Sequence, residues 1–362
     1  METISKSPMR AVIFAGGVGT RMWPLSRKKS PKQFEKIVGE QSTLQLAVER
    51  LRPEFNWEDI YISTGEQYVS LIQSQIPNLP PANVIAEPQM RDVAPAVGYV
   101  ASILAKHHPE EPFAILWSDH LINKVDVFKN ILKVGADYIR QHPHKILFIG
   151  QKARFPNQNL GWIQQGQQIA AVDGFHLHKF KSWHYRPNIQ LARKYYNNAN
   201  YSWNPGYFVA TPGFILEQYH RFMPDMYKQL KILQEKPQSI KNIYPKLESI
   251  SFDNAILERL EPDKAVVLTT DMGWSDIGAW EALKEALQKT KNENITHGKV
   301  YAHNSRDSVI YNYTNKLVTT IDLDGMLVIV TDDVILVCPQ ESVPEIKKVV
   351  GSFESTANEK YT

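Results

Sequence analysis

The chain has 362 residues, 43% of them hydrophobic and 22% charged, with a formal net charge of +3. This is the balance of a globular chain with a sizeable core, in one large domain or two unequal ones. The charge is too small to argue for nucleic acid, no basic tract interleaves with aromatics, and no run reaches the roughly 18 apolar residues of a membrane span.

Residues 1–10 hold no apolar segment of signal-peptide length. A short apolar run follows, Ala11-Val12-Ile13-Phe14-Ala15, the pattern of a buried strand. It leads into Gly16-Gly17-Val18-Gly19-Thr20-Arg21, with further cations at Arg27, Lys28, Lys29 and Lys32. Glycines after a strand expose backbone N–H groups and let the backbone approach a ligand closely. Arg21 adds a planar, permanently charged fork suited to phosphate oxygens. Gly16, Gly17, Gly19, Thr20 and Arg21 thus read as a loop for a polyanion, although a plain glycine turn is also common. Neither G-x-G-x-x-G nor the Gly-Lys-Ser/Thr of the ATPase loop is present. Ser26 has no nearby His to act as its base, which argues against a hydrolase triad.

Helical spacing follows at Leu44, Ala47, Val48 and Leu51. Residues 60–63 read as a strand, 93–107 as a helix, and 113–117 and 146–150 as buried strands. This βαβ rhythm predicts an α/β fold with a Rossmann-like mixed, mainly parallel sheet flanked by helices. Ligands bind beyond the carboxyl ends of such strands, where the glycine loop and Asp119 both fall. An Asp after a strand is also a common turn or cap residue. The character changes near Asn292. Short strand-like runs recur at 308–311, 317–320, 327–330 and 334–337, broken by Asn, Asp and Gly. They predict a small β-rich C-terminal domain over 292–362, after a larger α/β domain over 1–291. No repeat is strict enough to separate a solenoid from a sandwich. Residues 343–350 read as a short closing helix. The single cysteine, Cys338, excludes an intrachain disulfide and reads as a buried structural thiol. The histidine pairs lack the spacing of a metal site.

The string Gly16-Gly17-x-Gly19-Thr20-Arg21-x-Trp23-Pro24-Leu25-Ser26-Arg27, then Pro31-Lys32-Gln33-Phe34, resembles the signature of the sugar-1-phosphate nucleotidyltransferases. Trp23 and the Gln33-Phe34 pair point to the mannose-1-phosphate guanylyltransferase branch. Ordered blocks extend the resemblance over nearly the whole chain. The block from Glu87 through Arg91-Asp92-Val93 to Ala96 is similar to the family's EPxxRNTAPA, and Ser118-Asp119-His120 to its SDH. Asn159-Leu160-Gly161-Trp162-Ile163 is loosely similar to TGYGYI, and Trp183-His184-Tyr185-Arg186-Pro187-Asn188 occupies the place of FVEKPD. The block from Tyr201 through Trp203-Asn204 to Phe208 resembles YxWNSGMF, that from Ser251 to Ile256 resembles SIDYAV, and Gly273-Trp274-Ser275-Asp276-Ile277-Gly278 resembles GWSDVG.

The resemblance implies a β-helix-like tail. It implies transfer of a guanylyl group from GTP to a hexose 1-phosphate, with mannose 1-phosphate first in line, giving a GDP-sugar and pyrophosphate by in-line attack on the α-phosphate. It also implies Mg²⁺ on Asp119 and Asp276, with Arg21 and Lys32 as catalytic cations. Glu87 and Arg91 would lie near the nucleotide, and Gly161, Tyr185, Arg186 and Asn204 near the sugar phosphate. The expected partners are GTP and a sugar 1-phosphate, with no nucleic acid and no membrane. The expected location is the cytoplasm, and a homodimer stays open. Three residues depart from the family pattern: Asp92 for Asn, Val93 for Thr, and Tyr185 for a Glu that in relatives contacts sugar hydroxyls. A carboxylate accepts from two hydroxyls, whereas a phenol offers one donor and one acceptor contact. Sugar recognition therefore differs, or activity is lower. These departures leave a second reading open, a relative that binds a nucleotide sugar without turnover in a regulatory or scaffolding role.

Overall fold

The computed structural model describes residues 9–17, 19–27 and 29–362. Val18, Lys28 and the side chain of Thr20, all within the polyanion-loop reading, lie outside what is described. The chain divides into two compact units. One runs up to Gly16 and then comprises Val48–Trp117 and Ile122–Trp274; the other comprises Gly17–Ala47, Ser118–Leu121 and Ser275–Thr362.

The strands as far as residue 276 are β1 (Arg10–Phe14), β2 (Ile60–Gly65), β3 (Val84–Glu87), β4 (Phe113–Trp117), β5 (His120–Ile122), β6 (Ile146–Gln151), β7 (Gly161–Val172), β8 (Phe175–His184), β9 (Tyr201–Ala210), β10 (Ala265–Thr270) and β11 (Trp274–Asp276). All but β5 and β11 form a nine-stranded sheet in the order β3-β2-β1-β4-β9-β6-β10-β8-β7. β1, β2, β3, β4, β6, β7 and β10 run in one direction, and β8 and β9 run against them. The sheet is thus mixed and mainly parallel, as the alternating pattern implied. Strands covered on both faces show continuous apolar runs rather than alternation. Ala11–Ile13 of β1 and all of β4 except Trp117 are accordingly buried. The helix expected at 93–107 spans Val93–Ala105, and Asp92 is its N-cap, accepting from the Val93 N–H at 2.7 Å. Phe148 centres an aromatic core, with ring centroids 5.1 Å from Phe180, 5.2 Å from Trp183 and 5.5 Å from Phe208.

In the second unit the chain from residue 295 forms β12 (Ile295–His297), β13 (Val300–His303), β14 (Val309–Asn312), β15 (Val318–Ile321), β16 (Met326–Val330) and β17 (Ile335–Pro339). β12, β14 and β16 pair in parallel, β13 pairs in parallel with β15, and β17 closes antiparallel on β16. Val309 faces Leu327, Val300 faces Val318, and Arg306 bridges to Asp324, a spacing of 18 residues each time. Only β12, where Ile295 faces Val309, stands 14 residues from its neighbour. Parallel strands stacked in this way make the coils of a β-helix; a sandwich would pair its strands antiparallel. One coil turns on a fixed corner. Gly298 holds φ +75°, and a Cβ there would lie 2.0 Å from the Asn312 carbonyl oxygen, so the corner accepts only glycine.

Two details differ from the sequence reading. Cys338 lies on β17 and is half-buried rather than buried, although burial still pushes its thiol pKa up. The closing helix is split into a 3₁₀ turn over Gln340–Glu345, which contains Pro344, and an α-helix over Ile346–Gly351. The core of this unit joins Met22, Trp23, Leu25 and Ile37 to Trp280, Leu283, Val309, Tyr311, Leu327 and Val343. The segment after the glycine loop therefore packs on the β-helix.

Candidate active site

A Cβ at Gly16 or Gly17 would meet open space, so packing within the chain does not demand glycine at either position. Gly19 differs: its φ is +63°, and a Cβ there would lie 2.9 Å from the Lys32 side chain. Arg21 follows, exposed, in a 3₁₀ turn over Thr20–Met22 that buried Met22 and Trp23 anchor. Pro31, extended, sets the start of a second 3₁₀ turn, Lys32–Phe34. The Lys32 backbone N–H donates to Ser26 Oγ at 3.0 Å, which gives Ser26 a structural role.

Lys32 Nζ lies 2.7 Å from Asp119 Oδ2, with the lysine side chain only 7% exposed and that of Asp119 28%. His120 Nε2 is 3.8 Å from Asp119 Oδ1. Burial pushes the Asp119 pKa up, but the Lys32 charge, the His120 ring and hydrogen bonding outweigh it. The carboxyl is held well below the usual carboxylate range. β5 pairs with β11, which sets the block around Asp119 beside that of Asp276. A Cβ at Gly278 would lie 2.7 Å from Asp276 Oδ1, 3.0 Å from Lys32 Nζ and 3.1 Å from an Arg21 guanidinium nitrogen. Arg21, Lys32, Asp119 and Asp276 thus assemble from three distant sequence blocks into one cluster of two cations and two carboxylates. Among the described residues, no group of three or more His, Cys, Asp or Glu side chains is gathered that could hold a metal ion by itself.

The first unit places the other sequence-predicted residues in two groups. Glu87 is buried at the end of β3, where its oxygens accept from Tyr244 at 2.7 Å and Ser63 at 3.3 Å. Burial raises its pKa against those two bonds. Arg91 lies half-buried, and its Nε and one terminal nitrogen donate to the Leu247 carbonyl at 2.8 and 2.6 Å. The second group lies at one end of β8, β7 and β9. Gly161 pairs with Asn204, and the β7–β8 register of Trp162 with His184 brings Tyr185 alongside. Asn204 Oδ1 accepts from the Gly206 N–H at 2.7 Å. Tyr185 is 42% exposed, and the Arg186 guanidinium stands 5.1 Å from its ring centroid. Arg186 holds φ +42°, an unusual backbone for a non-glycine residue.

Sequence reasoning missed three contributors. His120 stands out in the sequence only as part of a block, yet it touches Asp119. Tyr244 seats Glu87 from 157 residues away. The turn before Trp274 is held by Asp271, which accepts from Gln151 at 2.9 Å and from the Gly273 N–H at 3.0 Å and is ion-paired with Lys124. No local pattern marks Gln151 or Lys124, because their partners are far off in sequence.

An α/β sheet of this order, with charged groups of both signs gathered beside a glycine loop, is the architecture of a nucleotidyl-transferring enzyme. Residues 10–293 match the family described as Nucleotidyl transferase, and residues 298–353 match the MannoseP isomerase/GMP-like beta-helix domain. A mannose-1-phosphate guanylyltransferase from Escherichia coli is 30% identical over 372 residues, covering 98% of this chain and 78% of its own. One from Klebsiella pneumoniae is 31% identical over 364 residues, covering 97% and 75%. A crystal structure from Thermus thermophilus, described as a mannose-1-phosphate geranyltransferase, aligns with a TM-score of 0.85 at 25% identity, over 96% of this chain and 99% of that one. The chain belongs to the nucleotidyl transferase family, in the mannose-1-phosphate guanylyltransferase branch.

Proposed function

We propose that this chain transfers a guanylyl group from GTP to a hexose 1-phosphate, with mannose 1-phosphate as the leading acceptor, and releases pyrophosphate. The observation that carries the proposal is the convergence of Arg21, Lys32, Asp119 and Asp276 beside Gly278. A sugar phosphate is already a nucleophile, so the reaction needs no strong base. Its difficulty is electrostatic: two polyanions meet, and charge grows on the leaving pyrophosphate. Positioning and charge neutralisation then supply the rate, as in phosphoryl transfer generally. Arg21 and the N–H groups around Gly17 to Thr20 would hold the triphosphate. Lys32, oriented by its pair with Asp119, supplies charge from a fixed, poorly solvated position. In the first unit, Arg186 would hold the acceptor phosphate, with Gly161, Tyr185 and Asn204 at the sugar.

Mg²⁺ is commonly held by one or two carboxylates together with substrate phosphates and water, and the two carboxylates of this cluster suit it. Asp119 and Asp276 would hold the ion, which would neutralise phosphate charge and polarise the phosphoryl oxygens. The departures at Asp92, Val93 and Tyr185 all lie outside the four-residue cluster, which favours turnover over a purely binding role. The test is pyrophosphate release from a panel of nucleoside triphosphates crossed with sugar 1-phosphates. GTP with mannose 1-phosphate is expected to give the highest kcat/KM, and no release from any pair would sink the proposal.

A further inference from the structure

The segment that bears Arg21 and Lys32 has little regular structure of its own, only two three-residue 3₁₀ turns. Side chains from the β-helix part of the same unit hold it. The Arg27 Nε donates to the Pro24 carbonyl at 2.9 Å, and its two terminal nitrogens donate to the two Asp333 oxygens at 2.7 and 2.6 Å. Asp333 sits in the turn between β16 and β17, where Thr331 Oγ1 also donates to it at 3.1 Å. Further along the segment, the Tyr313 and Tyr311 hydroxyls donate to the carbonyls of Lys36 and Ile37, each at 3.2 Å. The loop is thus gripped on both sides of Lys32.

We propose that Arg27 and Asp333 are positioning residues for nucleotidyl transfer: their forked pair fixes the stretch between Arg21 and Lys32 and so sets how those cations face the phosphates. This rests on the transfer reaction proposed above. Every nitrogen of the Arg27 guanidinium is engaged within the unit, so Arg27 acts through the loop. The geometry separates this role from two plainer ones. An exposed ion pair contributes little to folding, whereas a misplacement of about 1 Å at a reacting centre can cost on the order of 10²-fold in rate. A charge-only role has the opposite sign: removing the negative Asp333 would strengthen the field on the triphosphate and lower its KM. A positioning role lowers kcat and leaves KM unchanged or raised, never lowered.

Asp333→Asn and Arg27→Lys in the full chain provide the test, with kcat and KM from pyrophosphate release, thermal melting, and amide hydrogen exchange over residues 20–38. Lysine keeps the charge and loses the fork. Both variants should lose about tenfold or more in kcat, with KM unchanged or raised, melting within about 2 °C of wild type, and faster exchange over 24–36. An unchanged kcat, a lowered KM in Asp333→Asn, unaltered exchange, or a rate loss matched by loss of folded protein would each overturn the proposal. A wild type that releases no pyrophosphate from any substrate pair fails the transfer reading itself and takes the catalytic claim with it. An active wild type with indifferent variants fails the positioning claim alone.

Discussion

Gly278 is the position where three charged side chains leave room for nothing larger than hydrogen. Its backbone is not left-handed, so alanine could adopt it, but the added methyl would meet Asp276, Lys32 and Arg21 at 2.7 to 3.1 Å. Those contacts are the ends of flexible side chains, which can swing aside. Gly278→Ala is therefore expected to fold with nearly wild-type stability and to lose at least about tenfold in kcat/KM, read by pyrophosphate release beside a melting curve. Arg21→Ala should cost on the order of 10²-fold in turnover with little change in stability, because an exposed arginine contributes charge and no core. A turnover equal to wild type would remove Arg21 from the mechanism. Asp253 offers a pH test. Burial, with Glu258 adding to it, lifts its pKa from an ordinary 3.8 to about 6, against a backbone hydrogen bond and the Arg186 charge that pull it down. The folded chain then holds a proton that the unfolded chain has released between these values. The stability this group contributes is full below about pH 4 and is lost as pH rises through about 6. Asp253→Asn should lack that slope, so its melting temperature relative to wild type should rise from pH 4 to about 6 and level off above. A difference that stays flat over that range would contradict the assignment.

At the scale of elements, the helix Val93–Ala105 begins on a strained residue. Asp92 has φ +69° and ψ −177°, a region that only glycine occupies freely, and it still caps the Val93 N–H. Asp92→Ala keeps the strain and loses the cap, and should cost about 1–2 kcal/mol in denaturant unfolding. Asp92→Gly loses the cap and relieves the strain, and should cost well under 1 kcal/mol; equal losses would mean the backbone there is not strained. The cap itself was legible, since Asp before an apolar helical run is a local signal. The same holds for the strands of the sheet, whose apolar runs announce themselves. The β-helix was only half legible. Successive strands such as β14 and β15 belong to different sheets, and the true neighbours stand 14 or 18 residues apart. With runs of four or five residues, an error of one position at each end hides that period. The site was legible as separate blocks, and the family resemblance ordered them. Their meeting beside Gly278, and the burial of Glu87 under Tyr244, depend on pairings far along the chain that no local pattern records.

At the scale of the molecule, the loop after β1 is built into the unit that the last seventy or so residues complete. Met22 and Trp23 are buried in a core shared with Val309, Tyr311, Leu327 and Val343. A chain ending at residue 291 would leave Trp23, Leu25 and Ile37 without that cover. It is expected to release no pyrophosphate and to lose amide protection over residues 20–38, while the sheet strands stay protected; a truncated chain as active as the whole would contradict this packing. The Trp23 indole N–H donates to the Tyr361 carbonyl at 2.7 Å, across 338 residues. On a ribosome adding roughly 5–20 residues per second, that partner arrives roughly 17 to 70 s after Trp23. Every strand of the nine-stranded sheet has been made by residue 270. The nascent protein can therefore assemble its sheet early, and Trp23 gains the Tyr361 contact only after the β-helix strands have followed. The order of synthesis thus puts the sheet before the grip on Trp23.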